Sequence, residues 1–200
     1  TLTAEGQEAA DQLAGEALSV LLVITTVLSG LAILAMPWIN RLLFAGYADD
    51  PATFNLATTL TQITMVYLIC MTVATLFSGV LNARGKFFVA AAAPILLNLS
   101  LLVGVWPFRN DPQVAAYAAA ISVSASGLLQ ALWVWLGAKR AGAGGKLTAP
   151  RITAGVKRLA ALAIPGAIAG GALQINVLVS QALASFEQGA ITYLNVADRL

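Results

Sequence analysis

PATFNLATTLTQITMVYLICMTVATLFSGVLNA, residues 51–83, contains no Asp, Glu, Lys or Arg. A helix needs about 20 residues to cross a hydrocarbon core of about 30 Å, so this run is long enough to span a bilayer. Residues 17–40, 87–108, 112–138 and 159–186 are also free of charge. A further apolar run starts near Gln188 and reaches Leu200. Ala, Leu, Val and Ile dominate, with Gly and Ser between them, as in helices that pack closely in lipid. The alternation of a membrane barrel is missing: Ala90-Ala91-Ala92-Ala93 and Leu101-Leu102-Val103 are apolar on every side. The expected fold is therefore an all-α membrane protein, a polytopic transmembrane helix bundle. It has five full spans and a truncated sixth, and reads as an internal fragment of a longer chain.

The composition agrees. Hydrophobic residues make up 59% of the 200 and charged residues 10%, with a mean hydropathy of +0.83. A soluble domain is about 25% charged because water must solvate its surface. There is no histidine and a single cysteine, Cys70. That leaves no disulfide, zinc cluster, Ser-His-Asp triad or Cys-His dyad. No catalytic or metal site is expected, and the acids are scattered, so an enzyme is not the expected class. The net charge of +2 is too small to call for a nucleic-acid partner. No nucleotide-binding loop is present, and no cofactor is called for. No basic leader precedes the first apolar run, so no signal peptide is visible.

The loops set the orientation. Taking the spans in order, loops 82–86 and 139–158 share one side, with Arg84, Lys86, Lys139, Arg140, Lys146, Arg151, Lys157 and Arg158. The other side holds Arg41 and Arg109. The positive-inside rule makes the first side cytoplasmic, and with it the acidic N-terminal tail of Glu5, Glu8, Asp11 and Glu16. Trp38, Trp106 and Phe108 fall near outer span ends, and Trp133 and Trp135 near an inner end, as interfacial aromatics should. Residues 139–158, KRAGAGGKLTAPRITAGVKR, form the one long connection, basic and glycine-rich. It reads as a seam between two bundles, residues 1–138 and 159–200, or as a loop resting on anionic headgroups.

Few residues can carry chemistry. If a helix starts after Glu187-Gln188, Arg199 lies about 18 Å into it, near the bilayer midplane. A guanidinium there needs water, an acid or an anionic ligand; it is read either as an anion-binding cation in a central cavity or as a snorkelling or structural charge. Asp198 is adjacent but on another face, pairing with a further helix or capping a kink. Thr192 shares the face of Arg199, and its hydroxyl lines the same cavity or bonds back to its own helix. The fifth span carries Pro165-Gly166, Gly170 and Gly171, then Gln174, Asn176, Ser180 and Gln181. Gln174, Gln181 and Ser185 form one stripe. This is either a broken helix lining a transport cavity, or glycine packing with amide side chains bonding between helices. Pro94, Asn98 and Ser100 in the third span read more simply as kinking and interhelical hydrogen bonding, while Thr58, Thr59, Thr61, Gln62, Thr64, Thr72 and Thr75 of the second span can pack or line water. Asn82-Ala83-Arg84-Gly85-Lys86 reads as a tight turn whose glycine can take an unusual φ, with Arg84 and Lys86 as topology determinants.

Two stretches resemble a known family. They are GVLNARGKFFVAAAAPILLNLS, residues 79–100, and PGAIAGGALQINVLVSQALASFEQGAITYLNVADRL, residues 165–200. Together with LFAGYADD at 43–50 they are similar to the MurJ (MviN) lipid II flippase family, of the multidrug/oligosaccharidyl-lipid/polysaccharide exporter superfamily. The most specific element is Ala197-Asp198-Arg199-Leu200. The resemblance implies a fourteen-helix, two-lobe transporter, with this chain running from the third helix into the eighth. It implies that lipid II, an undecaprenyl-pyrophosphate-linked disaccharide-pentapeptide, is carried from the cytoplasmic to the periplasmic leaflet of the bacterial inner membrane for cell-wall synthesis. It further implies that Arg199 faces a central cavity, that membrane lipids are partners, and that transport is coupled to an ion or to the membrane potential. Thr192 stands where the family often has Ser. Substrate-binding candidates are thus Arg199, Asp198, Thr192, Gln174, Asn176 and Gln181. The alternatives are a related exporter of another lipid-linked oligosaccharide or of drugs, and a non-transporting membrane scaffold. A drug exporter would need cavity acids, and a scaffold would not need a deep arginine.

Overall fold

The computed structural model describes residues 4–43, 50–143 and 149–184, with Phe186 and Ala190. Among these residues all regular structure is helical. The helices are α1 (Ala4–Leu43), α2 (Pro51–Ala83), α3 (Phe87–Val105), α4 (Pro112–Arg140) and α5 (Ala154–Ala184), with a short 3-10 turn at Trp106–Phe108. All five are long and apolar enough to cross a membrane.

Local signals fix the ends. Asp50 and Asp111 cap α2 and α4, each accepting from two backbone N–H groups of the following turn and each followed by proline at the first helical position. These groups satisfy N–H donors that a helix start leaves open. The C-terminal ends of α2 and α4 share one closing motif. Lys86 N–H donates to Leu81 O at 2.8 Å and Gly85 N–H to Asn82 O at 3.0 Å. Ala143 N–H donates to Ala138 O at 2.8 Å and Gly142 N–H to Lys139 O at 3.1 Å. Gly85 and Gly142 take φ of 71° and 73°, which a side chain would oppose. The tight turn expected at 82–86 is thus present.

Three boundaries differ from the expectation drawn from charge. The acidic tail is not a separate segment but the start of α1, which runs 40 residues. That is about 60 Å, twice the hydrocarbon thickness, and acids in the first turns suit the positive end of the helix dipole. The connection expected at 139–158 is shorter. Lys139 and Arg140 complete the last turn of α4, where cations favour the dipole, and α5 already begins at Ala154. The broken helix at Pro165-Gly166 is also absent: α5 is helical without interruption through Pro165. Gly166, Gly170 and Gly171 have no heavy atom within 4 Å of where a Cβ would stand, so none packs against a described helix.

Packing is inverted relative to a soluble protein. Leu34, Leu42, Phe88 and Leu162 are 71–78% exposed, whereas Ser29, Ser126 and Gln130 are at most 2% exposed. Lipid solvates the leucines, so helix association selects small and polar contact faces instead. On α4 the buried face steps by four residues through Ser122, Ser126, Gln130, Val134 and Ala138. It meets α2, which sits centrally and packs against α1, α3 and α4. At Gly127 the two backbones come close: a Cβ there would lie 2.8 Å from the Tyr67 ring and 3.0 Å from Cys70 Cβ. The apolar core gathers Leu18, Ala74, Phe77, Leu81, Val134, Ala138 and Ala143 towards the basic end of the bundle.

Candidate functional site

The described charges concentrate at the basic end, where α1 and α5 begin, α2 gives way to α3, and α4 finishes. The 82–86 turn swings Arg84 between these elements. Its guanidinium binds Asp11 Oδ1 of α1 at 2.5 Å and the Ala141 carbonyl at the close of α4 at 2.8 Å. One side chain therefore ties three helices together. Five residues along α1, Glu16 accepts from the Thr153 hydroxyl at 2.7 Å and from Gln12 at 3.0 Å. Thr153 in turn starts α5, and Leu13 lies against Gly155. Sequence reading assigned Arg84 to topology alone. Its partner lies 73 positions away, a separation no local pattern reveals.

The bundle interior is polar but closed by short bonds. Asn40 donates to the Thr58 hydroxyl, Gln62 to the Ile33 carbonyl, Thr72 to Thr25, and Ser124 to the Ile63 carbonyl. Thr58, Thr59, Thr61 and Thr72 also bond back to the carbonyl four residues earlier in their own helix. Gln130 Nε2 and Ser29 Oγ are buried without a hydrogen-bond partner among the described residues. Gln130 escaped the sequence reading, although its spacing from Ser122 and Ser126 was a usable signal.

Of the predicted binding residues, Arg199, Asp198 and Thr192 lie outside the described residues. Gln174, Asn176 and Gln181 are on α5. Gln174 and Asn176 are exposed and Gln181 is half-buried. Gln174 and Gln181 share a face, while Asn176 sits about 200° round the helix from Gln174. The structure does not gather the three into one site. α5 makes its main contacts with α1, and every residue from Lys157 to Asn176 is exposed. At the opposite end Asp50 accepts hydrogen bonds from the Thr53 hydroxyl, then from the Thr53 and Ala52 N–H groups, and these hold its pKa below the ordinary 3.8. Arg109 stacks on Trp106 there, as Lys139 does on Trp135 at the basic end. No group of three or more His, Cys, Asp or Glu among the described residues could hold a metal.

Lipid-facing leucines, small polar contact faces and aromatic–cation pairs at both ends define a polytopic α-helical membrane protein. A family model described as "Lipid II flippase MurJ" matches residues 1–200. The probable lipid II flippase MurJ of Rhizobium tropici is 42% identical over 194 residues, 95% of this chain and 36% of that protein. The probable lipid II flippase MurJ of Rhizobium meliloti (strain 1021) is 37% identical over 203 residues, covering 100% and 38%. The lipid II flippase MurJ of Burkholderia cenocepacia is 31% identical over 201 residues, covering 98% and 39%. The chain belongs to the MurJ family. It spans a little over a third of the length of these curated relatives.

Proposed function

We propose that the protein is a flippase that moves lipid II from the cytoplasmic to the periplasmic leaflet of the bacterial inner membrane by alternating access. The observation that carries this reading is the family match across residues 1–200. The physical problem is the pyrophosphate, whose charge makes unaided passage through hydrocarbon prohibitive. An arginine in a wet cavity replaces part of its hydration, and the planar guanidinium pairs two oxygens at once. Arg199 takes that role, with Asp198 beside it and Thr192, Gln174, Asn176 and Gln181 as polar lining. The protein transports its ligand without making or breaking its bonds.

Alternating access needs two bundles that rock about the site. The residues up to the end of α4 at Arg140 form the later part of an N-terminal lobe, the segment between α4 and α5 carries the basic cytoplasmic connection, and the residues from Ala154 onward open a C-terminal lobe of a fourteen-helix whole. The packing supports this division: α1 to α4 form one closely packed unit, while α5 leaves most of its surface open. An ion or the membrane potential drives the cycle.

The test is headgroup translocation by the full-length protein in vesicles. Arg199→Ala lowers the rate by at least about tenfold, the loss expected of a hydrogen bond to a charged group. Arg199→Lys is partly defective because an ammonium lacks the planar fork. Normal translocation by Arg199→Ala rejects the arginine role. Wild-type inactivity on lipid II favours an exporter of another lipid-linked oligosaccharide or a scaffold.

A further inference from the structure

Beside the Arg84 tie, on the outer flank of the bundle, the basic end carries a groove of about 350 Å³ between α3 and α4. Its walls are apolar: Val89 on α3, and Trp133, Leu136 and Gly137 on α4. Its mouth is charged, with Lys86 at the start of α3 and Arg140 at the end of α4. The close approach that makes the floor is specific, because a Cβ on Gly137 would lie 2.5 Å from Val89 Cγ1. Trp133 is held in place by its indole N–H, which donates to the Val89 carbonyl at 3.0 Å.

The two cations are exposed, and neither forms an ion pair with a described residue. That distinguishes them from Arg84, whose charge is met by Asp11. Seven residues separate Arg140 from Trp133, about 10 Å along the helix. Charge therefore sits at the level of the headgroups, and the apolar groove runs below it into the hydrocarbon. A water-soluble anion would use only the mouth. An amphiphile with an anionic head and a chain uses the whole feature.

We infer that this groove binds an anionic phospholipid of the surrounding bilayer, with the phosphodiester between Lys86 and Arg140 and one acyl chain along Val89, Trp133 and Leu136. The assignment rests on the membrane fold and on charge complementarity, and is independent of what the protein transports. Basic side chains at an anionic surface contribute about 1 kcal/mol each, so the pair confers about thirty-fold preference for an anionic head over a zwitterionic one of the same chain length.

The test is native mass spectrometry of the full-length protein, titrated with phosphatidylglycerol or phosphatidylethanolamine of identical chains. Wild type retains phosphatidylglycerol preferentially. Lys86→Ala/Arg140→Ala loses that preference, falling by about thirty-fold. Lys157→Ala/Arg158→Ala removes the same charge from the same end but away from the groove, and stays at wild type. Lys86→Arg/Arg140→Lys keeps the charge and also stays at wild type, which keeps the proposal testable if the double alanine variant misfolds. Equal retention of the two lipids by wild type overturns the proposal. So does an unchanged double alanine variant, an equal loss in the Lys157/Arg158 control, or a loss of the preference in the charge-conserving exchange.

Discussion

Gly127→Ala is a demanding test of the close packing between α2 and α4. A helix interior gains about 1 kcal/mol when glycine becomes alanine, because glycine gives up more backbone freedom. At Gly127 that gain is opposed. The new methyl would stand 2.8 Å from Tyr67 Cδ2, 3.0 Å from Cys70 Cβ and 3.4 Å from Tyr67 Cα. Two of these atoms belong to, or adjoin, the α2 backbone, so relief requires the helices to separate. Overpacking of this kind costs about 2 kcal/mol, leaving a net loss of about 1 kcal/mol. Gly79→Ala on α2 is the internal reference. Its Cβ would meet nothing within 4 Å, so it keeps the helix gain of about 1 kcal/mol. The two substitutions are chemically identical and should differ by about 2 kcal/mol in opposite directions. Full-length variants in detergent are heated in steps, and the folded monomer is quantified by size-exclusion chromatography. Gly127→Ala melts below wild type and Gly79→Ala at or above it. If Gly127→Ala is as heat-resistant as Gly79→Ala, the close α2–α4 approach is refuted.

Arg84→Ala removes the Asp11 pair and the bond to the Ala141 carbonyl, and should destabilise by about 2 kcal/mol, as expected for hydrogen bonds to a charged group. Arg84→Lys recovers part of this, since an ammonium reaches one partner but not both in fixed geometry; the same heating assay reads both. Asp11→Asn should cost less than Arg84→Ala, because the carbonyl bond survives. Asp50→Ala should lower stability at neutral pH by uncapping α2. Since the folded carboxyl has a lowered pKa, its contribution is full above the ordinary value of 3.8 and disappears as pH falls through the lower folded value. Melting curves of wild type and Asp50→Ala across pH therefore converge in acid; a constant gap would contradict the capping role.

The amino-acid sequence determined the class of this protein through charge. Windows such as 51–83 and 112–138 lack ionisable groups, and a bilayer punishes buried charge so heavily that their absence alone marks the spans. Asp50-Pro51 and Asp111-Pro112 set helix starts because capping acts over three residues. Gly85 was legible for the same local reason. The family was legible from ordered elements such as those at 79–100 and 197–200, which need no coordinates.

Tertiary structure decided what depends on distant partners. Charge-free windows underestimated α1 and misplaced the ends of the 139–158 connection, because a helix can continue into water once acids or bases suit its dipole. Pro165 suggested a break, but a helix can absorb a proline in a membrane span, and α5 does. That Gln174 and Asn176 are exposed on α5 and that Arg84 reaches Asp11 are outcomes of helix rotation and pairing. In lipid the hydrophobic pattern is nearly uniform around each helix, so it does not encode which face turns inward. Close fit at positions such as Gly127 and Gly137 encodes it instead, and that fit exists only once two helices meet.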